Sequence, residues 1–76
     1  MMNMVIKHNY KYMKISKKVI DEILKNNQFS LKIAMILDIQ QTSVKALARS
    51  NSDKLGHARL VEFYKEQGFT DEEIWE

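Results

Sequence analysis

The 76-residue chain has no cysteine, no proline and only two glycines, Gly56 and Gly68. Without cysteine there is neither a disulfide framework nor a thiolate metal site, which suits a reducing compartment. Without proline the strongest helix breaker is missing. No alternating run of β-branched residues is long enough to mark a strand, so helices are favoured nearly throughout and the expected class is all-α. No apolar run approaches the roughly 20 residues that span a bilayer, so a membrane is not expected as a partner. The stretch from Met1 to Met13 carries Lys7 and Lys11 and has no apolar segment with a small-residue cleavage site, which speaks against a secretory signal and for a cytoplasmic protein. There is no glycine-rich phosphate loop, His8 and His57 stand isolated, and no nucleophile lies beside a base by local spacing. Enzymatic activity, a cofactor and a small-molecule substrate are therefore not expected.

Hydrophobic residues make up 45% and charged residues 29%, ordinary proportions for a globular domain, and a chain this short builds one compact core rather than a large cleft. The net charge of +2 conceals an asymmetry. Residues 1–54 hold ten lysines and arginines against four carboxylates (net +6), whereas residues 55–76 hold two against six (net −4). A basic front and an acidic back suit a surface that meets a polyanion on one side. The plainer explanation is codon bias, because the chain is rich in Lys, Asn and Ile together.

The hydrophobic spacing predicts four to five helices. A first helix begins after Ser16, a good N-cap, with Val19, Ile20, Ile23 and Leu24 along one stripe, and Asn26 and Asn27 stop it. A second runs from about Ser30 to Leu37 with Leu31, Ile33, Ala34 and Leu37 inward, and Asp38 takes the tight turn. A third follows at once, burying Val44 and Leu47 and ending near Ser50 and Asn51. A fourth uses Leu60, Phe63 and Tyr64 and stops at Gly68. Thr70 followed by Glu73 is a capping box that opens a short last helix, with Ile74 and Trp75 turned toward the core. This capping also accounts for most of the acidic cluster Asp71, Glu72, Glu73 and Glu76, which has no oxygen-ligand loop for a metal. Residues 1–14 read as an arm or extension to a domain of residues 15–76. The first 12 suit an arm reaching a groove, a strand pairing with another subunit, or a disordered extension ahead of a second start at Met13; the last is the default. Tyr10 and Tyr12 among Lys7, Lys11 and Lys14 would also fit stacking on single-stranded nucleic acid, although a floppy arm is the commoner explanation.

Two helices joined by a few residues must cross closely, so Ala34 has to be small, while Leu37, Ile39, Val44 and Leu47 fill the angle between them. That leaves Gln41, Thr42, Lys45, Ala48 and Arg49 on the outer face of the third helix, polar, basic and free of carboxylates. The stretch SLKIAMILDIQQTSVKALARS, from Ser30 to Ser50, resembles the helix-turn-helix of phage repressors and Cro proteins, the lambda-repressor-like family. Phe69, Thr70, Ile74 and Trp75 behind Gly68 resemble the corner between the fourth and fifth helices of that family, so the likeness spans roughly residues 15–76.

The resemblance implies a compact lambda-repressor-like domain that binds double-stranded DNA as a small transcriptional regulator. Gln40, Gln41, Thr42, Lys45 and Ala46 would then face the bases: Gln pairs with an adenine edge, Thr with a thymine methyl, Lys with guanine or phosphate. Ser30, Lys32, Ser43 and Arg49 would meet the backbone. Lys17 and Lys18 join them because two cations in a helix's first turn oppose its dipole and a phosphate would offset that; simple solvation is the competing explanation. A homodimer on a two-fold site follows from the few bases one such domain covers. The sequence departs from the family pattern at three points: Asp38 stands where glycine is usual, Phe29 occupies the slot that caps the second helix, and Gln40 rather than Ser or Thr precedes the third. The alternative is a protein-interaction module of the same fold, an antitoxin, antirepressor or phage adaptor, with Met35 and Ile36 as part of its patch.

Overall fold

Ser16 opens the first helix as its spacing predicts: its hydroxyl accepts a hydrogen bond from the Val19 N–H at 3.3 Å. The structure is a computed structural model that describes residues 14–76. The arm or extension expected before Lys14 therefore lies outside the described residues. In chain order come α1 (Lys17–Lys25), α2 (Asn27–Leu37), α3 (Gln41–Arg49), a 3₁₀ segment (Asp53–Gly56), α4 (Ala58–Glu66) and α5 (Asp71–Ile74). The domain is all-α, and among the described residues extended pairing is confined to one antiparallel bridge between Ile15 and Trp75. No helix among the described residues is long and apolar enough to cross a membrane.

The corner between α1 and α2 is a single residue. The Asn26 N–H closes α1 on the Glu22 carbonyl at 2.9 Å, and its side-chain oxygen accepts from the Gln28 and Phe29 N–H groups at 3.1 and 3.2 Å. One asparagine thus ends one helix and caps the next. This corrects the expected start of the second helix: α2 begins at Asn27, three residues before Ser30, and Asn27 is not a stop. Asp38 ends α2 at φ 58°, ψ 48°, the left-handed conformation anticipated for it, and the Ile39 N–H returns to the Ala34 carbonyl at 3.0 Å. Only Ile39 and Gln40 then separate the turn from α3.

The core gathers Ile15, Val19, Ile23, Ile33, Val44, Leu55, Leu60, Tyr64 and Ile74, all buried, around Phe29. The Phe29 ring lies 5.0 Å from Phe63 and 6.0 Å from both Tyr64 and Phe69. Ala34 is buried where α2 meets α3, as close crossing requires. Three side chains differ from expectation. Ala48, assigned to the outer face of the third helix, is in the core, because four residues bring it under Val44. Leu31 is 48% exposed, since Ser30 beside it takes the inward position and successive helical residues are turned about 100° apart. Ile39 is 38% exposed, turned outward by the left-handed residue before it, and Leu37 and Leu47 are half-buried.

The chain closes on its own beginning. Gly68, at φ 105°, follows α4, Thr70 and Glu73 form the anticipated capping box, and α5 packs against α1 and α4. The Ser16 N–H donates to the Ile74 carbonyl at 2.7 Å and the Glu76 N–H to the Lys14 carbonyl at 3.1 Å.

Candidate nucleic-acid interface

α3 is short, and its nine residues divide by angle into three sides. Val44 and Ala48 point into the core, and Leu47 packs against it half-buried. Gln41 and Lys45 adjoin α2. Thr42, Ser43, Ala46 and Arg49 are exposed, as is Gln40 just before the helix. Gln40 makes no side-chain capping bond, so its amide is not occupied at the helix start.

The α2 side is built around Asn27, which the sequence reading treated as a breaker. The Gln41 side-chain nitrogen donates to the Asn27 carbonyl at 2.9 Å and to the Ser30 hydroxyl oxygen at 2.8 Å. The Lys45 ammonium donates to the Asn27 side-chain oxygen at 2.9 Å. Ser30, wholly buried, passes its own proton to the Asn27 carbonyl at 3.0 Å. Both N–H donors of Gln41 are engaged, so the carbonyl oxygen is the atom it can still offer. Lys45 rests on a neutral partner, the Asn27 side-chain amide. Neither Lys45 nor Arg49 forms an ion pair among the described residues, and α3 itself contains no carboxylate.

Several residues assigned to the phosphate backbone sit elsewhere. Ser30 is sealed in the α2–α3 contact, out of reach of a surface ligand. Lys18 pairs with the Glu73 carboxylate and lies 6.0 Å from the centre of the Phe69 ring, and the Lys17 N–H donates to Glu76 at 2.7 Å. A carboxylate from the far end of the chain thus offsets Lys18, whereas Glu76 takes only the main-chain N–H of Lys17, whose side chain is exposed and in no ion pair among the described residues. The Lys18 ammonium and the Thr70 N–H hold the Glu73 carboxyl below its ordinary value. Lys32 shares a shallow cleft with Met35, Ile36 and Phe63, on the side of α2 that meets α4, so it does not join the α3 face. Met35 is 73% exposed.

Two further polar side chains hold the fold through one atom each. His57 caps α4, its Nδ1 accepting the Arg59 N–H at 3.2 Å. Tyr64 is buried with its hydroxyl donating to the Leu55 carbonyl at 2.8 Å, and burial raises that hydroxyl well above the usual tyrosine range. No cluster of three His, Cys, Asp or Glu side chains suited to a metal ion occurs among the described residues. Sequence reasoning missed Asn27, whose signal was its place at the very start of a helix facing the next one.

Compared with protein-family models, curated proteins and solved structures, the chain finds no match. The likeness to phage repressors therefore rests on the residues from Ser30 to Ser50 and their surroundings.

Proposed function

We propose that the chain binds double-stranded DNA as a small repressor-like transcriptional regulator, with α2 and α3 as a helix-turn-helix and α3 in the major groove. The observation that carries this reading is the outer side of α3: Gln40, Thr42, Ser43, Ala46 and Arg49 exposed together, flanked by Lys45, which enters no ion pair among the described residues, with no carboxylate on the helix. Thr42 and Ala46 suit thymine methyl groups, and Lys45 and Arg49 suit guanine or phosphate. Gln41 plays a narrower part than bidentate pairing with adenine. With both N–H donors on Asn27 and Ser30, it contributes one acceptor, matched to the exposed amine of adenine or cytosine. One such domain reads few base pairs, so the bound form is a homodimer on half-sites roughly one helical turn apart.

Selection of bound sites from random duplexes tests the reading. The expected result is a two-fold site whose preference relaxes with Thr42→Ala, since a good base contact is worth about 1–3 kcal/mol of discrimination. Binding to nonspecific duplex should also weaken steeply with salt, and less steeply for Lys45→Ala. A chain that retains no duplex even at low ionic strength refutes the proposal.

A further inference from the structure

On the flank of α3 away from Gln41 and Lys45, an open groove of about 640 Å³ lies between the end of α2, α3 and the 3₁₀ segment. This is the size range of ordinary ligand sites. Its floor is Leu37, Ile39, Ala46 and Leu47, and its polar edge is Ser43, Lys54 and His57. Among the described residues no carboxylate lines it. The carboxylates nearest in sequence are Asp38 and Asp53, and Asp53 is paired with Lys14 at 3.0 Å. Lys54, by contrast, enters no ion pair among the described residues. Because the His57 Nδ1 accepts the Arg59 N–H, its Nε2 carries a proton and is a donor. The groove therefore combines an apolar floor with the Lys54 ammonium and a second N–H donor.

We infer that this groove docks an acidic, apolar segment of a partner protein, seating large aliphatic or aromatic side chains on Leu37, Ile39 and Leu47 and a carboxylate on Lys54 and His57. Charge complementarity selects that occupant. Residues 1–13 of this chain carry Lys7 and Lys11 and no carboxylate, which sets like charge against Lys54. Ser43 and Ala46 belong both to the groove and to the exposed side of α3. An occupied groove therefore excludes a duplex from α3, a consequence that rests on the DNA reading above, whereas the docking itself does not.

The test is selection from a random-peptide display library on the intact chain, without DNA. The expected binders combine Asp or Glu with Leu, Ile, Met, Phe or Trp and shift the amide resonances of Ile39, Ala46 and Leu47. They lose about tenfold in affinity for Lys54→Glu and for Ala46→Glu, while Lys65→Glu, an exposed charge on α4, leaves binding unchanged. Circular dichroism checks that the exposed substitutions leave the fold intact. Failure to recover a binder, binders without acidic residues, or equal affinity for Lys54→Glu overturns the assignment. So does concentration-dependent self-association that Lys54→Glu abolishes, which would give the groove to a second copy. A recovered peptide is then added to a chain–duplex complex: displacement supports the shared face, and simultaneous binding overturns it. Absence of duplex binding with peptide binding intact refutes the DNA reading alone.

Discussion

Replacing Tyr64 by phenylalanine tests how the groove wall and the loop after α3 are held. Tyr64 and Leu55 are both fully buried, and the tyrosine hydroxyl donates to the Leu55 carbonyl at 2.8 Å across the gap between α4 and the 3₁₀ segment. Phenylalanine keeps the ring and its packing on Phe29 and Phe63, so the change removes a hydrogen bond and little else. Losing the bond itself removes about 1 kcal/mol, and a carbonyl left buried without its donor costs about 1–3 kcal/mol. Taking these as overlapping, the expected loss is about 1.5–3 kcal/mol, read as a fall in Tm of roughly 6–24 °C for a domain of this size. Urea and thermal unfolding followed by circular dichroism measure it. The same hydroxyl sets an alkaline limit. Burial raises its pKa in the folded state, so the neutral form is favoured there, and its contribution is intact below the unfolded value of about 10 and declines as pH climbs through the range above it. The difference in stability between wild type and Tyr64→Phe should therefore shrink above pH 10. A loss below about 0.5 kcal/mol at neutral pH, or a difference that does not change with alkali, refutes the reasoning, because water would then be reaching Leu55.

Three further substitutions probe the elements that set α3 in place. Asp38 holds a left-handed conformation at φ 58°, so Asp38→Gly should raise stability by about 0.5 kcal/mol and Asp38→Ala lower it by about 1 kcal/mol; a glycine variant less stable than the alanine one contradicts the strain. Asn26→Ala removes the bonds to the Gln28 and Phe29 N–H groups and should cost about 1 kcal/mol with faster hydrogen exchange at those two amides, and unchanged exchange would show the corner is held by other groups. Glu73 has a depressed carboxyl because of Lys18, so its contribution is present above the unfolded value of about 4.3 and disappears as pH falls below it. Lys18→Met should flatten that acid limb of the stability curve, and an unaltered limb would remove Lys18 as its cause.

What was legible in the sequence was local. Thr70 and Glu73 satisfy each other three residues apart, Gly68 ends a helix by its own backbone freedom, and the Val19–Ile23 stripe needs only the helical period. Asp38 was readable too, because a tight turn between two apolar stripes leaves few backbone choices. The residues misread depend on partners distant in the chain or on a boundary. Lys18 resembles a phosphate ligand until Glu73 of α5 arrives from more than fifty residues away. Ser30 reads as the start of its helix until Asn26, four residues earlier, caps that helix and leaves the serine inside it. Ala48 has too small a side chain to declare a face, and its burial follows from Val44 one turn before it.

The two flanks of α3 differ in a way that bears on how it would recognise anything. On the α2 side Asn27 fixes Gln41 and Lys45 with bonds of 2.8–2.9 Å through Ser30 and its own oxygens. A contact from these two residues begins with their rotamers already ordered, which reduces the entropy lost on binding. On the groove side the facing groups are Ser43, Ala46 and Leu47, with Lys54 opposite. Side chains this small impose little directional demand, so selectivity on that flank comes from shape and the sign of charge. Under the readings proposed above, the ordered flank would discriminate by hydrogen-bond pattern and the open flank by apolar fit. Asn27→Ala removes only the Lys45 partner, because Gln41 is held by the Asn27 main-chain carbonyl and the Ser30 hydroxyl; under the proposed reading it should weaken duplex binding through Lys45 and leave peptide docking unchanged.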